Sequence, residues 1–295
     1  MPVIEQALQE ILADRSPVGG ESAHLAHLAE AMGVKDWHQT GVGHLQVGAQ
    51  SPRWWVAVGI DEPTLLLTGE GTDQSWGFAS YGMPKDATLL RQRELRHQSG
   101  QLVTIVGPES ADASALKLCP GQPQAPAGAT WAVWPNSCAL HGNRVVGPGA
   151  GGRLLAAATM AALATGNGSV GAIFVRMSRF SAKCLTDLLL SPAVSGVIWL
   201  GAMAGTDADL GHGAYHLRAP ALPGDLALDH RLGGLAARFV DKDALPPFAL
   251  EIRRAGRVEF GLGLVVTHGG EAQETACLSD GEALAQQLVE IAAMG

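Results

Sequence analysis

The sequence predicts an α/β chain with a β-rich module inserted in its middle. Helical and strand-like periods alternate over residues 153–200, as in an α/β unit. The strand-like runs at 170–175 and 194–200 are apolar without alternation, which marks strands covered on both faces. Between 69 and 146 the helical period fades and the chain breaks into short segments punctuated by Gly and Pro.

Two helices open the chain. Val3, Ile4, Leu8, Ile11 and Leu12 recur at helical spacing, and residues 24–32 repeat the pattern after the Pro17-Val18-Gly19-Gly20 break. Strands are expected at 43–48, 53–60 and 64–68, read as neighbours in one sheet because each is short, apolar and rich in β-branched or aromatic residues. The insert offers strands at 102–106 and 130–134, and helices follow at 153–164 and near 181–190. The best-marked helix closes the chain: Ser279-Asp280-Gly281-Glu282 has capping-box spacing, and Leu284, Leu288 and Ile291 share one face. No fixed-period repeat is present, which argues against a solenoid.

Composition narrows the function classes. The 295 residues suffice for a large core and two domains. Charged residues make up 16% and apolar ones 47%, against about 25% charged in a typical globular chain, so disorder is excluded as the main state. A net charge of −8 without any Lys/Arg run repels phosphate backbones, so no nucleic acid partner is expected. The longest apolar stretch, 154–164, is far too short to span a bilayer. The acidic, helical start does not read as a leader, and a cytoplasmic location is expected. Cys119, Cys138, Cys184 and Cys277 form no Cys-x-x-Cys pair, which fits reduced structural thiols.

Several side-chain groups bear on chemistry. Asp61 and Glu62 follow an apolar strand, a position where α/β proteins place metal ligands or a general base. His212 and His216 lie beside Asp207 and Asp209 at a spacing that suits a metal, and His24-x-x-His27 sits on a helix edge. Cys138-x-x-His141 pairs a thiol with a base but lacks an orienting acid. The glycine-rich run Gly147–Arg153 opens a helix without a P-loop Lys-Ser/Thr, so it reads as a structural turn.

The order of these features resembles the tetrahedral, glutamyl-type aminopeptidase family of dinuclear zinc metallopeptidases, some of whose members carry an endoglucanase label. SPVGGE (16–21) is similar to the family's Ser-x-Ser-Gly-x-Glu, TGVGHL (40–45) to Asp-x-x-Gly-Asn-Leu, and VAVGIDE (56–62) to a strand ending His-Met-Asp-Glu. GNRVVGPGAGGRLL (142–155) resembles the stretch leading into Asp-Asp-Arg-x-Gly, LGHG (210–213) a Leu-Gly-x-Gly segment, and His268 with Asp280 the closing His and Asp-helix. The match runs over nearly the whole chain. It implies an aminopeptidase-like α/β/α sandwich (1–68 and 147–295) with an inserted β-rich, barrel-like dimerisation domain (69–146). It also implies homo-oligomers, with dimers through the insert.

The chemistry departs from the family. By this alignment Gly59 stands where the first ligand His would be, Gly151 and Gly152 replace Asp-Asp, Ser178-Arg179 replaces Glu-Glu, and an acid is missing within Gly201-Ala202. No Asp or Glu lies between Gly142 and Leu185, so no shift of register restores them. Asp61, an orienting group in the family, and His268 as last ligand survive. A two-zinc hydrolase needs about three protein ligands per metal and a base. The expectation is therefore a catalytically degenerate homologue without a cofactor, a binding or scaffold subunit, in homo-oligomers or beside an active enzyme. Arg153, Arg176 and Arg179 then become candidates to hold an anionic ligand. The alternative is an active aminopeptidase or amide hydrolase with zinc or another divalent metal on Asp61, His268, His212, His216 or Asp207. A third reading uses Glu62 or His268 as a metal-free acid/base.

Overall fold

The computed structural model describes residues 3–13, 23–34, 36–39, 45–48, 52, 54–60, 62–70, 75–84, 86–107, 117–120, 131–165, 170–175, 196–218, 237–239, 252 and 258–293. Helices α1 (Val3–Ala13) and α2 (Ala23–Ala31) come first, followed by strands β1 (Trp37–Gln39), β2 (Leu45–Gly48) and β3 (Trp54–Gly59). A second group comprises β4 (Thr64–Glu70), β5 (Trp76–Tyr81), α3 (Ala87–Leu90), β6 (Glu94–His97), β7 (Leu102–Val106), β8 (Lys117–Pro120) and β9 (Trp131–Val133). The chain then forms β10 (Ala139–His141), β11 (Arg144–Val146), α4 (Ala150–Thr165), β12 (Val170–Val175), β13 (Gly196–Ala204), β14 (Tyr215–Arg218) and β15 (Ala237–Phe239). It ends with β16 (Val258–Thr267), β17 (Thr275–Cys277) and α5 (Leu278–Ala293). No described helix is long and apolar enough to cross a membrane.

Eleven strands form one sheet in the order β1-β2-β12-β3-β13-β16-β17-β11-β10, with β14 and β15 attached through β16. Its centre is parallel: β12, β3, β13 and β16 pair in one direction, so their C-terminal ends share one edge. Alternation across these strands builds two cores. Val56, Val58, Ala172, Phe174, Ile198 and Leu200 face α1, α2, α4 and α5, whereas Trp55, Ala57, Ile173, Val175, Val197 and Trp199 face the opposite side. Both faces are thus covered, which is why the strands read as continuous apolar runs. Helix α4 is apolar on nearly every side because it lies between the sheet, α1 and α5.

The inserted module is a closed barrel in the order β4-β5-β8-β7-β6-β9 around Leu65, Trp76, Leu95, Val103, Ile105 and Trp134. Its boundaries correct the expected 69–146. Thr64–Leu66 pair with β9, so β4 belongs to the barrel and is not a neighbour of β3, while β10 and β11 join the large sheet through β17. An apolar strand carries no mark of which sheet it completes; only long-range pairing decides that. The helix expected near 181–190 lies outside the described residues.

A close approach locks the parallel centre. A side chain at Gly263 of β16 would run into the carbonyl oxygen of Gly201 on β13. Gly263→Ala is expected to destabilise the protein by about 1–3 kcal/mol or more, since backbone must move to admit the methyl group. The urea midpoint of the variant checks this.

Candidate functional site

In open α/β sheets, ligands bind outside the C-terminal ends of the parallel strands. Here that edge is formed by Gly59 ending β3, the distal half of β13, and His268 directly after β16, with the N-terminus of α4 above them. The structure brings together Gly59, Gly151, Gly152 and Ala202, positions at which the resemblance expects metal ligands. A Cβ at Gly152 would sit 3.6 Å from the Gly59 carbonyl oxygen. One at Gly151 would sit 2.7 Å from Ala202 Cβ and 2.6 Å from Val266 Cγ1. Carbon atoms in contact lie about 3.5–4.0 Å apart, so Gly151 has no room for any side chain unless its neighbours withdraw.

A residue that the sequence reading missed organises this floor. Glu274, 4% exposed, accepts a hydrogen bond from Gly151 N–H at 2.8 Å through Oε1 and from Gly270 N–H at 2.6 Å through Oε2. Its carboxylate thus satisfies an orphan amide of the first turn of α4 and complements the helix dipole. Its own carbonyl accepts Gly147 N–H at 2.9 Å, which ties the glycine turn to the same segment. An isolated Glu ahead of a short strand has no motif to advertise it. Long-range hydrogen bonding alone reveals the role.

His268 occupies the left-handed region at φ 54, uncommon for a residue other than Gly, and lies half exposed with Nδ1 3.6 Å from Glu271 Oε1. Among the described residues, no group of three or more His, Cys, Asp or Glu is placed to hold a metal ion. The described residues alone do not supply the donors of a dinuclear zinc centre. Gly59, Gly151, Gly152, Gly201 and Ala202 have no donor side chains, and Glu274 is engaged by two backbone amides. Asp61, Arg176 and Arg179 lie outside the described residues.

Glu62 and Arg153 meet each other. Arg153 Nη2 donates to Glu62 Oε2 at 2.9 Å, Nη1 to the Ile11 carbonyl at 2.8 Å and Nε to the Pro148 carbonyl at 3.4 Å. Both side chains are buried. The pair fastens the end of α1 and the start of α4 to the link between the two sheets. Cys138 lines the small space beside them. Burial pushes its thiol up to about 12, with a smaller opposing pull from Arg153, so it stays protonated and is no nucleophile.

The remaining candidates are not gathered into a site. Asp207 is exposed, with Oδ1 3.6 Å from Arg144 Nη1. His212 is exposed, its Nε2 3.0 Å from the Ala208 carbonyl, while His216 is buried within β14 opposite Leu262. His27 is exposed 3.8 Å from Glu30, as a solvated helix edge requires. The expected capping box at Ser279 is also corrected, because α5 starts at Leu278. Asn143, from the β10–β11 turn, accepts Ser279 N–H at 3.2 Å through Oδ1 and Leu278 N–H at 2.9 Å through its carbonyl. Asp280 then turns inward and accepts Gly211 and Gly213 amides at 2.9 and 2.6 Å. Burial raises its pKa, against the lowering pull of those two bonds.

No protein-family model and no curated protein sequence matches the chain. Solved structures do. The TET1 peptidase of Pyrococcus horikoshii, which can assemble into a tetrahedron or a large octahedral shell, aligns at 16% identity and TM-score 0.75 over 98% of this chain and 99% of its own. A TET aminopeptidase from a marine sediment thaumarchaeote aligns at 14% identity and TM-score 0.79 over 98% and 96%. An endoglucanase from Thermotoga maritima aligns at 13% identity and TM-score 0.69 over 97% and 99%. The fold is therefore aminopeptidase-like, the one that the sequence resemblance implied.

Replacing Arg153 by Met is expected to cost about 3–5 kcal/mol, because it removes the charged partner of the buried Glu62 carboxylate. Chemical denaturation measures it, and Glu62→Gln combined with Arg153→Met should recover part of the loss.

Proposed function

We propose that this chain is a non-catalytic relative of zinc aminopeptidases, a binding or scaffold subunit of an oligomeric assembly. The observation that carries the reading is the closed floor of the cleft: Gly151 is packed against Ala202 and Val266 where the bridging carboxylate would be expected. Peptide hydrolysis in this fold needs a polarised carbonyl and an activated water, both of which depend on metal donors and a general base. Among the described residues, the sheet edge offers His268 and Glu271 as titratable groups, and Glu274 is already hydrogen-bonded. That set supports binding better than turnover.

Assembly is the second half of the proposal. The Pyrococcus horikoshii relative forms closed shells, and a related structure of PhTET1 contains a dodecamer. For this chain we place self-association on the inserted barrel, whose outer face carries exposed Leu102 and Val106 on β7. Co-assembly with an active enzyme of the same fold is the corresponding hetero-oligomeric form.

The experiment is metal analysis of tag-free protein grown with added zinc, cobalt and manganese, together with hydrolysis of aminoacyl reporters with and without chelator. The expected outcome is a metal-to-protein ratio near zero and no chelator-sensitive hydrolysis. A stoichiometric metal that survives dialysis and is lost in His268→Ala would overturn the proposal in favour of an active metallohydrolase. Gly151→Asp is expected to recruit no metal and to cost about 1–3 kcal/mol by overpacking.

A further inference from the structure

The barrel contains a buried histidine that the cleft does not use. Along β6 exposure alternates, so Leu95 and His97 point into the lumen while Glu94 and Arg96 point out. In the ring β4-β5-β8-β7-β6-β9, strands β5 and β6 lie opposite each other. Trp76 of β5 and His97 of β6 nevertheless touch: their rings stack with centroids 5.2 Å apart at 17°. The stack pins one wall of the barrel to the other across its core. It also sits at the thinnest seam among the described residues, because β5 and β8 share the single register pair Trp76 with Leu118, whereas β4 and β5 share six pairs.

The imidazole is held in its neutral form. Ser99 N–H donates to Nδ1 at 3.2 Å, with Ser99 Oγ 2.9 Å from the same atom, and Nε2 has no hydrogen-bond partner among the described residues. Around it lie Leu65, Leu95, Val103 and Ile105, and the ring is 1% exposed. Among the described residues, no carboxylate pairs with the ring. Strands β7 and β9 carry no titratable side chain, Glu94 and Arg96 of β6 and Lys117 of β8 are exposed, Tyr81 ends β5, Cys119 lies on β8, and Glu70 of β4 is the register partner of Trp76. A proton added to Nδ1 would face the Ser99 amide and place a cation in an apolar lumen. Its attraction to the Trp76 face is smaller than that desolvation cost.

We propose that the barrel is an acid-released clasp, in which protonation of His97 breaks the stack with Trp76 and opens the β5–β8 seam. The linkage has a definite sign. Burial holds the folded pKa of His97 below its ordinary 6.5, so the closed barrel is favoured above about pH 6.5 and loses that advantage as pH falls below it. Opening frees the facing edges of β5 and β8, and unpaired strand edges are templates for pairing with a second copy of the chain. The inference does not depend on whether the cleft is catalytic.

The test is amide exchange of the full-length protein at pH 7.5 and 5.0, corrected for intrinsic rates. Protection of β5 and β8 should fall at the lower pH, while β12 and β13 stay protected. His97→Phe keeps a ring on Trp76 and should abolish the change. Equal loss of protection in His97→Phe, or none in the wild type, would overturn the proposal. If that variant does not fold, nitrogen NMR of the wild-type imidazole decides: His97 must gain its second proton as β5 protection falls, and a barrel that opens with His97 still neutral contradicts the clasp.

Discussion

The carboxylate of Glu274 holds three parts of the molecule at one point. It accepts the Gly151 amide at the start of α4 and the Gly270 amide in the turn after β16. Charge-assisted bonds of this kind are about twice as strong as neutral ones, and a negative group in the first turn also meets the helix dipole favourably. Helix α4 is buried along most of its length, so its orientation sets the packing of α1, α5 and the sheet. The turn that Glu274 organises is also the root of the barrel: Trp134 Nε1 donates to the Gly270 carbonyl at 2.9 Å and Asn136 Nδ2 to the Ala272 carbonyl at 2.5 Å. One buried acid thereby joins the central helix, the cleft floor and the inserted module.

That arrangement is a different solution to a problem that metal ions solve in metalloenzymes. A metal draws strand ends and a helix terminus together through several donor side chains, and the centre must stay open on one side for substrate. Here the same elements converge through glycine, alanine and one internal carboxylate. The approach is close: Gly151 fits only because it has no side chain, and its neighbours Ala202 and Val266 take up the space. Fold and chemistry are separable in this way, because a shared architecture carries no guarantee of a shared site.

Much of the architecture was legible in the sequence, and the reason is periodicity. The apolar run at 170–175 coincides with β12, and α1, α2 and α4 lie within a few residues of their expected positions. Long-range facts were not legible. That β4 closes a barrel, that Asn143 caps α5, and that Glu62 belongs to Arg153 all depend on partners distant in the chain, for which local pattern has no signature. For the cleft, the absence of acids between Gly142 and Leu185 was plain from residue identities alone. The role of Glu274 was not, since it stands in an ordinary turn sequence and acts across 123 positions.

We propose that Glu274, and no metal, holds the cleft floor together. It is tested most directly by the exchange rates of the Gly151 and Gly270 amides, followed with and without a strong chelator, in the wild type and in Glu274→Gln. The account expects both amides to exchange slowly and equally with or without chelator, and faster in Glu274→Gln. Exchange accelerated by the chelator in the wild type, or unchanged in Glu274→Gln, would contradict it.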